Sequence, residues 1–491
     1  MGVAHRPAAA VVPFRHEEVL CGLRGEGARS FKGYWVFPGG TVEPEDAELP
    51  LLTSAKVRLW ETSTTHVACA LRELGEETGR YVLAQSTGEA PTSQQLEGFQ
   101  RAILEHNDLK KSLETQDLFL DGRQLVFVGA VQSPDYGDNR FEVHQFFLKD
   151  CPDPICPAQD ELTDIQWRRV DDVHQAWLNG EAFYLPPILR VMRALGSERG
   201  EGRMENAIRQ LQEHPSNPIE SREVIGGLRV QAYRTPTLPP AAHTNTFFLG
   251  SHRLLIVDPA TPDAAEQERF DALVKRLLAE GRRFEAVVLS HHHADHVGDA
   301  QRVAERWSLP IWGHQCTADK LGMTFDRYLE EGDAFDGWQF LHTPGHAVGH
   351  LCFWHAEKRA LVAADMVAEE STIIIEPHDG GDLKAYMQSL ERLIALQPRS
   401  LVPSHGHLRT DGSHLLAQTL DHRKKRVTQI QGNLMMQDEP QTARQLVASI
   451  YVGEVPEAVY PLAELSVLSS LLYLEQQGTV VCENDAWSLK A

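Results

Sequence analysis

The stretch Ser290-His-His-His-Ala-Asp-His296 contains four side chains of the kinds that bind metal ions. They are His291, His293, Asp295 and His296, and they lie within one short loop. It follows the apolar run 286–289, which is typical of a buried strand. Zinc binds imidazole nitrogen and carboxylate oxygen at about 2.0–2.2 Å. One loop at a strand end can therefore aim His291 and His293 at one ion, and Asp295 and His296 at a neighbouring ion.

Three further ligand-type side chains follow other predicted strands. His346 comes after the run 339–341, Asp365 after 361–364, and His405 after 401–402. Asp365 is the residue expected to bridge two ions. A His-rich surface loop is the alternative interpretation, but it does not explain why each later residue follows a strand. The sequence therefore predicts two zinc ions held by His291, His293, Asp295, His296, His346, Asp365 and His405.

The chemistry expected of such a centre is hydrolysis. Two cations lower the pKa of bound water from 15.7 towards about 7 and polarise a carbonyl or phosphoryl oxygen. Asp295 is expected both to bind metal and to orient the attacking water or accept its proton. His292 and His407 are expected to lie outside the ligand set.

Residues 219–433 resemble the metallo-β-lactamase superfamily, because the motifs around 290–296, 343–346, 363–365 and 403–407 occur in its order. The resemblance implies an αββα sandwich. Ser290 stands where the superfamily usually has threonine. The motif order, with His422-Arg423 downstream, is most similar to the lactamase-like endoribonuclease branch, which implies cleavage of single-stranded RNA. The glyoxalase II branch shares all seven ligands, so thioester hydrolysis is the alternative.

The C-terminal residues 434–491 are expected to form a small winged-helix-like domain. The segment 478–489 contains two short strands around the turn Asn484-Asp485, after a helical region. This pattern is similar to the tail of the same endoribonuclease branch. Tails of this kind bind nucleic acid or mediate dimerisation, so a homodimer is the other use expected of it.

The basic run His422-Arg-Lys-Lys-Arg426 comes just after the last predicted zinc ligand. A solvated helix face is the simpler interpretation of such a run. The functional hypothesis is a rim that binds RNA phosphates. On that hypothesis the substrate-binding residues are His422, Arg423 and Lys424.

A second signal lies near the amino terminus, in Phe37-Pro-Gly-Gly40 and in Arg72-Glu-Leu-Gly-Glu-Glu-Thr-Gly79. On a helix, residues three and four positions apart are neighbours, so Glu73, Glu76 and Glu77 share one face. Crowded carboxylates repel one another unless a hard cation lies between them, and Mg²⁺ or Mn²⁺ prefers such oxygens. Arg72 can brace Glu76 one turn away. The pattern predicts a site that binds a pyrophosphate and positions water.

These residues resemble the Nudix box, Gly-x5-Glu-x7-Arg-Glu-U-x-Glu-Glu-x-Gly-U, where U is aliphatic. The second half matches through Gly79, whereas Asp46 replaces the usual glutamate and Arg80 replaces the final aliphatic residue. The box is also interrupted by about eighteen residues before the helix. Such an interruption is similar to the coenzyme-A diphosphatase group of Nudix hydrolases, as are the segments 140–147 and 185–187.

The Nudix resemblance implies an α/β/α sandwich over residues 1–196 and catalytic roles for Arg72, Glu73, Glu76 and Glu77. It also implies a pyrophosphate substrate such as a coenzyme-A or nucleoside diphosphate derivative. Two alternatives are open: an acidic amphipathic helix without function, and a Nudix domain that only senses a ligand and regulates its neighbour.

Length and charge limit the remaining possibilities. A chain of 491 residues exceeds the roughly 100–200 residues of a single domain. The polar stretch 196–203 marks a boundary, and a short helix is expected after it, before Pro215. The expected organisation is α/β and α+β multidomain: 1–196, a linker at 197–218, then 219–433 and 434–491. The net charge of −22 argues against non-specific binding of nucleic acid over the whole surface.

The expected location is the cytoplasm, with no membrane association. No run approaches the roughly 18 apolar residues of a membrane helix. Seven cysteines are scattered along the chain, and an odd, scattered set is typical of a reducing compartment rather than of a disulfide framework.

Overall fold

The computed structural model describes residues 5–28, 31–54, 62–133, 140–151, 153–154, 161–197, 200, 202–213, 222–368, 372–453 and 456–490. The chain forms two compact units, unit 1 (Met1–Ile225) and unit 2 (Gly226–Ala491). Each unit is described separately.

The main sheet of unit 1 has the strand order β11-β3-β2-β1-β9-β8, with β10 added beside β2 and β4 beside β1. Its centre is parallel, because β1 pairs with β9 from Arg6 with Phe141 to Phe14 with Lys149. The strands are β1 (Arg6–Arg15), β2 (Glu18–Arg24), β3 (Tyr34–Val36), β4 (Gly39–Thr41), β8 (Leu125–Gln132), β9 (Phe141–Lys149), β10 (Leu162–Arg169) and β11 (Phe183–Tyr184).

A smaller sheet of unit 1 has the order β5-β7-β6. It includes β5, which lies in the interruption of the predicted box. Its strands are β5 (Leu51–Leu52), β6 (Leu83–Gln85) and β7 (Leu118–Asp121), and β12 (Arg222–Ile225) ends the unit. The helices of unit 1 are α1 (Thr64–Thr78), α2 (Ser93–His106), α3 (Leu109–Thr115), α4 (Val170–Leu178), α5 (Pro186–Gly196) and α6 (Arg203–Glu213).

Alternation along β1 shows how the main sheet is covered on both faces. Ala9 and Val11 pack in the core that contains α1, whereas Val12 and Phe14 pack in the core that contains α4, α5 and α6. Successive side chains of a strand point to opposite faces, so helices cover both sides of the sheet. This is the α/β/α sandwich expected for the first domain.

The range 197–218, expected to be a linker, contains α6. Met204, Ala207 and Leu211 of this helix are buried in the core formed with α4 and α5. The Arg203 guanidinium is also buried, and donates to the Leu195 carbonyl and to Asp171. The compact part of unit 1 thus extends past 196, because an amphipathic helix follows the polar stretch.

Unit 2 contains two sheets with orders β13-β14-β15-β16-β17-β18 and β19-β20-β21-β22-β23. The first has β13 (Leu228–Arg234), β14 (His243–Leu249), β15 (Arg253–Val257), β16 (Arg283–Leu289), β17 (Ile311–Gly313) and β18 (Arg327–Tyr328). The second has β19 (Ala334–Phe335), β20 (Trp338–His342), β21 (Leu351–His355), β22 (Ala360–Ala364) and β23 (Ser400–Pro403).

Both sheets are buried on two faces, which explains their continuous apolar strands. In β16, Val287 and Leu289 join the core with α7 (Ala264–Ala279), α9 (Ala300–Trp307) and α10 (Gln315–Leu321). Val288 points to the opposite face and is equally buried. Residues of β20, β21 and β22 pack in a core with α11 (Leu383–Ala395) and α12 (Gly412–Met435). Helices outside two facing sheets form the predicted αββα arrangement.

The C-terminal region follows the expected order of helices and then a hairpin. It contains α13 (Ala443–Ile450), α14 (Tyr460–Gln476), β24 (Val480–Glu483) and β25 (Ala486–Leu489). Asn484 and Asp485 both have positive φ, as the tight hairpin turn requires. The expected boundary at 433/434 falls inside α12, and α12, α13 and α14 contribute to one core.

None of the helices in the described part of the chain has both the length and the apolar character needed to cross a bilayer. The six cysteines in that part are all free thiols. Cys156 lies outside the described residues.

Candidate metal centre

The His-rich loop lies where the buried strand β16 ends. The short helix α8 (Ala294–Val297) begins after the four-residue loop 290–293. His291 and His296 are completely buried, whereas Asp295 keeps some exposure. The loop therefore directs its ligand-type side chains to the edge of the sheet rather than to solvent.

A first trio of histidines meets at this edge: His291, His293 and His346. The Nε2 atom of His291 is 3.0 Å from Nδ1 of His293 and 3.3 Å from Nε2 of His346. His346 is supplied by the second sheet, in the loop after β20. All three ligand atoms lie within 4.8 Å of one another.

A second trio lies beside the first: Asp295, His296 and His405. Asp295 Oδ2 is 3.5 Å from His405 Nε2, and Asp295 Oδ1 is 3.8 Å from His296 Nε2. His405 comes two residues after β23 ends. The second trio thus also combines residues from both sheets.

Asp365 lies between the two trios. Its Oδ2 atom is 3.5 Å from Nε2 of both His296 and His346, and its Oδ1 atom is 3.6 Å from Nε2 of His405. The structure therefore brings all seven predicted zinc ligands together, with Asp365 in the position expected of a bridging ligand.

The donor set fits zinc. Two ligand atoms about 2.1 Å from one ion at a tetrahedral angle are about 3.4 Å apart, close to the distances within and between the trios. His296 Nε2 and Asp365 Oδ1 are also buried without a hydrogen-bond partner. Buried polar atoms are normally satisfied, so two unsatisfied atoms on residues of this cluster indicate a place for a cation.

Hydrogen bonds fix the tautomers of the histidines. The Nδ1 atom of His346 donates to the Ile374 carbonyl at 2.8 Å, and that of His405 donates to the His243 carbonyl at 3.0 Å. His296 Nδ1 donates to Asp258 Oδ2 at 2.9 Å. Each of these rings therefore directs its Nε2 atom to the centre, which is the nitrogen that a metal ion would use.

Burial controls the charge of these rings. It lowers the pKa of His291 well below the usual value and lowers that of His293 to about 3. For His296, burial alone would lower the pKa, but the Asp365 and Asp258 carboxylates raise it well above the usual value. The first trio is therefore neutral at pH 7, the form that binds metal without releasing a proton.

Two buried residues support the ligands and were not predicted from the sequence. Asp258 follows β15 and accepts from the Ser290 backbone N–H at 2.7 Å, from the Ser290 hydroxyl and from His296. His350 accepts from the Asp365 backbone N–H at 3.1 Å through Nε2. Asp258 belongs to the pattern of carboxylates after buried strands, so that signal could have identified it.

We expect Asp258→Asn to lower the free energy of unfolding of unit 2 by about 1–3 kcal/mol. Asparagine has one side-chain acceptor atom, whereas three donors converge on the Asp258 carboxylate, so a buried donor loses its partner. Chemical denaturation after chelator treatment measures this change without a contribution from metal. Glu268→Gln, at an exposed carboxylate, is the control; equal midpoints for the two variants would contradict the assigned role.

Arg72 organises the acidic cluster of unit 1. Its Nε donates to Asp46 Oδ1 at 2.6 Å, and its Nη1 donates to Glu73 and Glu76 at 2.9 Å each. Asp46, which replaces the usual glutamate of the box, is buried and still meets the arginine. The interruption after Asp46 therefore does not separate the two halves of the box in space.

Glu77 is positioned independently of Arg72. Its Oε2 atom accepts from the Gly39 backbone N–H at 3.0 Å, which joins the Gly-Gly turn to α1. Burial raises the pKa of Glu73 to about 7 and that of Glu77 well above the usual range. Glu73, Glu76 and Glu77 share a helix face but bind different partners, since Arg72 donates to the first two and Gly39 to the third. Among the described residues, the groups of side chains close enough to hold one metal ion do not include these three glutamates.

The structure separates the three predicted substrate residues. Arg423 is 5% exposed and donates to the Ile373 carbonyl inside unit 2. Lys424 is exposed and pairs with Glu391 at 3.0 Å. His422 is also exposed. The basic run therefore does not present a continuous cationic surface.

Residues 239–405 match the family described as the metallo-beta-lactamase superfamily. Unit 2 contains a metallo-β-lactamase domain. Residues 442–487 match the beta-lactamase associated winged helix domain, which confirms the predicted tail. The metallo-β-lactamase domain carries the two trios and Asp365, and the prediction of a metal-dependent hydrolase is confirmed at that level.

Two relatives illustrate the likeness. A beta-lactamase-like protein 2 homolog of Caenorhabditis elegans is 28% identical over 246 residues, covering 48% of this chain and 80% of that protein. An atrochrysone carboxyl ACP thioesterase of Aspergillus fumigatus is 28% identical over 228 residues, covering 44% of this chain and 68% of that protein. A NUDIX hydrolase structure from Alicyclobacillus acidocaldarius is 23% identical with a TM-score of 0.35, covering 42% and 96% of the two chains.

Proposed function

We propose that the metallo-β-lactamase domain holds two zinc ions and hydrolyses a thioester. Asp365, in contact distance of both trios, is the single observation that supports a two-ion centre over two unrelated clusters. The first trio would hold one ion and the second trio the other. Zinc bound there supplies Lewis acidity and lowers the pKa of water towards about 7.

The chain's own residues divide the remaining work. Asp295 is more exposed than Asp365, so it can orient water and accept its proton. Hydrogen bonds from His346 and His405 to backbone carbonyls keep their rings fixed. A site held in this way loses little free energy to reorganisation during the reaction.

The choice of a thioester over RNA depends on the basic run. Lys424 pairs with Glu391, Lys425 pairs with Asp421 at 2.7 Å, and the Arg426 guanidinium lies over the Tyr451 ring at 4.1 Å. A carboxylate beside a lysine lowers the positive potential that would attract a phosphate. The thioesterase named among the relatives supports the same choice.

Single-stranded RNA is the second candidate substrate. The winged-helix domain favours it, because this fold is a common platform for nucleic acid. The same domain also suits a homodimer. The order of the motifs also favours RNA, because it resembles that of the endoribonuclease branch. Direct comparison of the two substrates separates these candidates.

The deciding experiment incubates the purified protein with Zn²⁺ and, in turn, S-lactoylglutathione, acyl-coenzyme A and single-stranded RNA. We expect thioester cleavage with intact RNA. Cleaved RNA together with stable thioesters would replace the first candidate by the second.

We expect the double variant Lys424→Met, Lys425→Met to keep thioester kcat/KM within about twofold, since both lysines are exposed and paired with carboxylates. If RNA is the substrate, the same variant binds it more weakly. Each lost phosphate contact then reduces the slope of log affinity against log salt by about 0.7. A large loss of thioester turnover would contradict the proposal.

We further propose that unit 1 is a Mg²⁺- or Mn²⁺-dependent pyrophosphohydrolase acting on a coenzyme-A or nucleoside diphosphate derivative. The observation that supports it is the contact of Arg72 with Asp46, Glu73 and Glu76, which joins both halves of the interrupted box. A cation at this face would favour the ionised form of Glu73 and Glu77, whose pKa values burial raises. A ligand-sensing domain without catalysis is the alternative.

A further inference from the structure

The guanidinium of Arg423 is buried inside the metallo-β-lactamase domain, where it contacts Ile373 and Tyr386. It lies on α12, donates to the Ile373 carbonyl, and lies over the Tyr386 ring at 5.3 Å from the centroid. Burying a charged group costs free energy unless its hydrogen bonds are made. The Nε atom of Arg423 is buried without a hydrogen-bond partner, so the bond to the Ile373 carbonyl is what compensates for burial of the guanidinium and ties its position to the backbone there.

Tyr386 fixes a second backbone carbonyl of the same domain, that of Met366. It lies on α11, is fully buried, and donates its hydroxyl to the Met366 carbonyl at 2.6 Å. The Arg423 guanidinium packs against the Tyr386 ring, so the two side chains support each other. Together they fix the carbonyls of Met366 and Ile373.

These two carbonyls are next to residues of the candidate centre. Met366 directly follows Asp365, the bridging position. Ile373 directly precedes Ile374, whose carbonyl accepts from Nδ1 of His346 and so directs its Nε2 atom to the first trio. A shift of either carbonyl would move a ligand by a comparable distance.

We propose that Arg423 and Tyr386 are positioning residues of the metal centre, which hold Asp365 and His346 in place through the carbonyls of Met366 and Ile373. The inference rests on the proposed two-zinc centre. On this inference, a residue of α12 helps to hold the metal centre in place. The same helix shares a core with α13 and α14 of the winged-helix region. The role given to Arg423 replaces substrate binding.

The test compares zinc affinity in Arg423→Met, Arg423→Lys and Tyr386→Phe with the unmodified chain, using a competing chelator. Loss of groups that orient metal ligands typically weakens binding about 10- to 100-fold. We expect Arg423→Met at the upper end, Tyr386→Phe at the lower end, and Arg423→Lys between the unmodified chain and Arg423→Met. The absorption spectrum of the Co²⁺-substituted protein should change as well, since it reports ligand geometry.

Lys425→Met is the matched control, because Lys425 lies on the same helix but is exposed and pairs with Asp421. It should bind zinc as the unmodified chain does. Tyr386→Phe removes only a hydroxyl, so it keeps the test valid if Arg423→Met does not fold. Unmodified protein without two zinc ions would refute the proposed function. Two ions bound with unchanged affinity and unchanged Co²⁺ spectra in Arg423→Met and Tyr386→Phe would overturn this inference alone.

Discussion

Asp365→Ala is expected to remove at least one zinc ion and to reduce hydrolysis by about 10²- to 10⁴-fold. Asp365 is the carboxylate within reach of both trios, so its loss leaves buried histidines without their shared partner. A metal ion contributes several kcal/mol of transition-state stabilisation, and each 1.36 kcal/mol corresponds to about tenfold in rate. The unmodified chain should hold two zinc ions.

Elemental analysis after purification without chelator, together with initial rates, measures both effects. Asp438→Ala, at an exposed carboxylate of unit 2, is the control for loss of negative charge. No more than trace transition metal in the unmodified chain would rule out the two-ion centre. Full activity and metal content in Asp365→Ala would rule out the bridging role.

Glu76→Gln is expected to reduce Mg²⁺-dependent pyrophosphate hydrolysis by about 10²- to 10⁴-fold and to leave the zinc-dependent reaction unchanged. Glu76 is the most exposed carboxylate of the cluster, and it accepts from Arg72 at 2.9 Å. The amide keeps the size of the side chain but removes the charge that a hard cation needs. Both reactions are followed on the same preparation.

Glu97→Gln is the matched control, because Glu97 is an exposed glutamate on α2 of the same unit. Loss of both reactions by folded Glu76→Gln would contradict independent sites. An unmodified chain that binds a pyrophosphate without hydrolysing it would favour the ligand-sensing alternative.

The residues of the candidate metal centre could be grouped from the sequence because they follow apolar strands, and the ends of such strands meet at one edge. Asp258 and His350 were missed, although both are buried. Their roles depend on which backbone groups and rings face them, and a single sequence does not contain that information. Asp258 shared the strand-end signal but lacked a motif around it.

Charge alone gave a misleading view of the basic run. Arg423 was counted with its neighbours as a surface cation, but one turn of helix contains both exposed and buried positions. At 203–213 the sequence predicts a short helix within the linker. Met204, Ala207 and Leu211 have the spacing of an amphipathic helix, and they bury it in the core of unit 1.

The ligands of the centre come from both sheets of the metallo-β-lactamase domain and lie up to 114 positions apart, from His291 to His405. Ions bound to all of them would act as cross-links between distant parts of the chain. Closing a loop of that length costs an unfolded chain about 5 kcal/mol of conformational entropy. Bound ions would therefore stabilise the folded domain relative to the unfolded chain by part of this amount. Zinc supply would then determine how long the domain stays folded, as well as how fast it reacts.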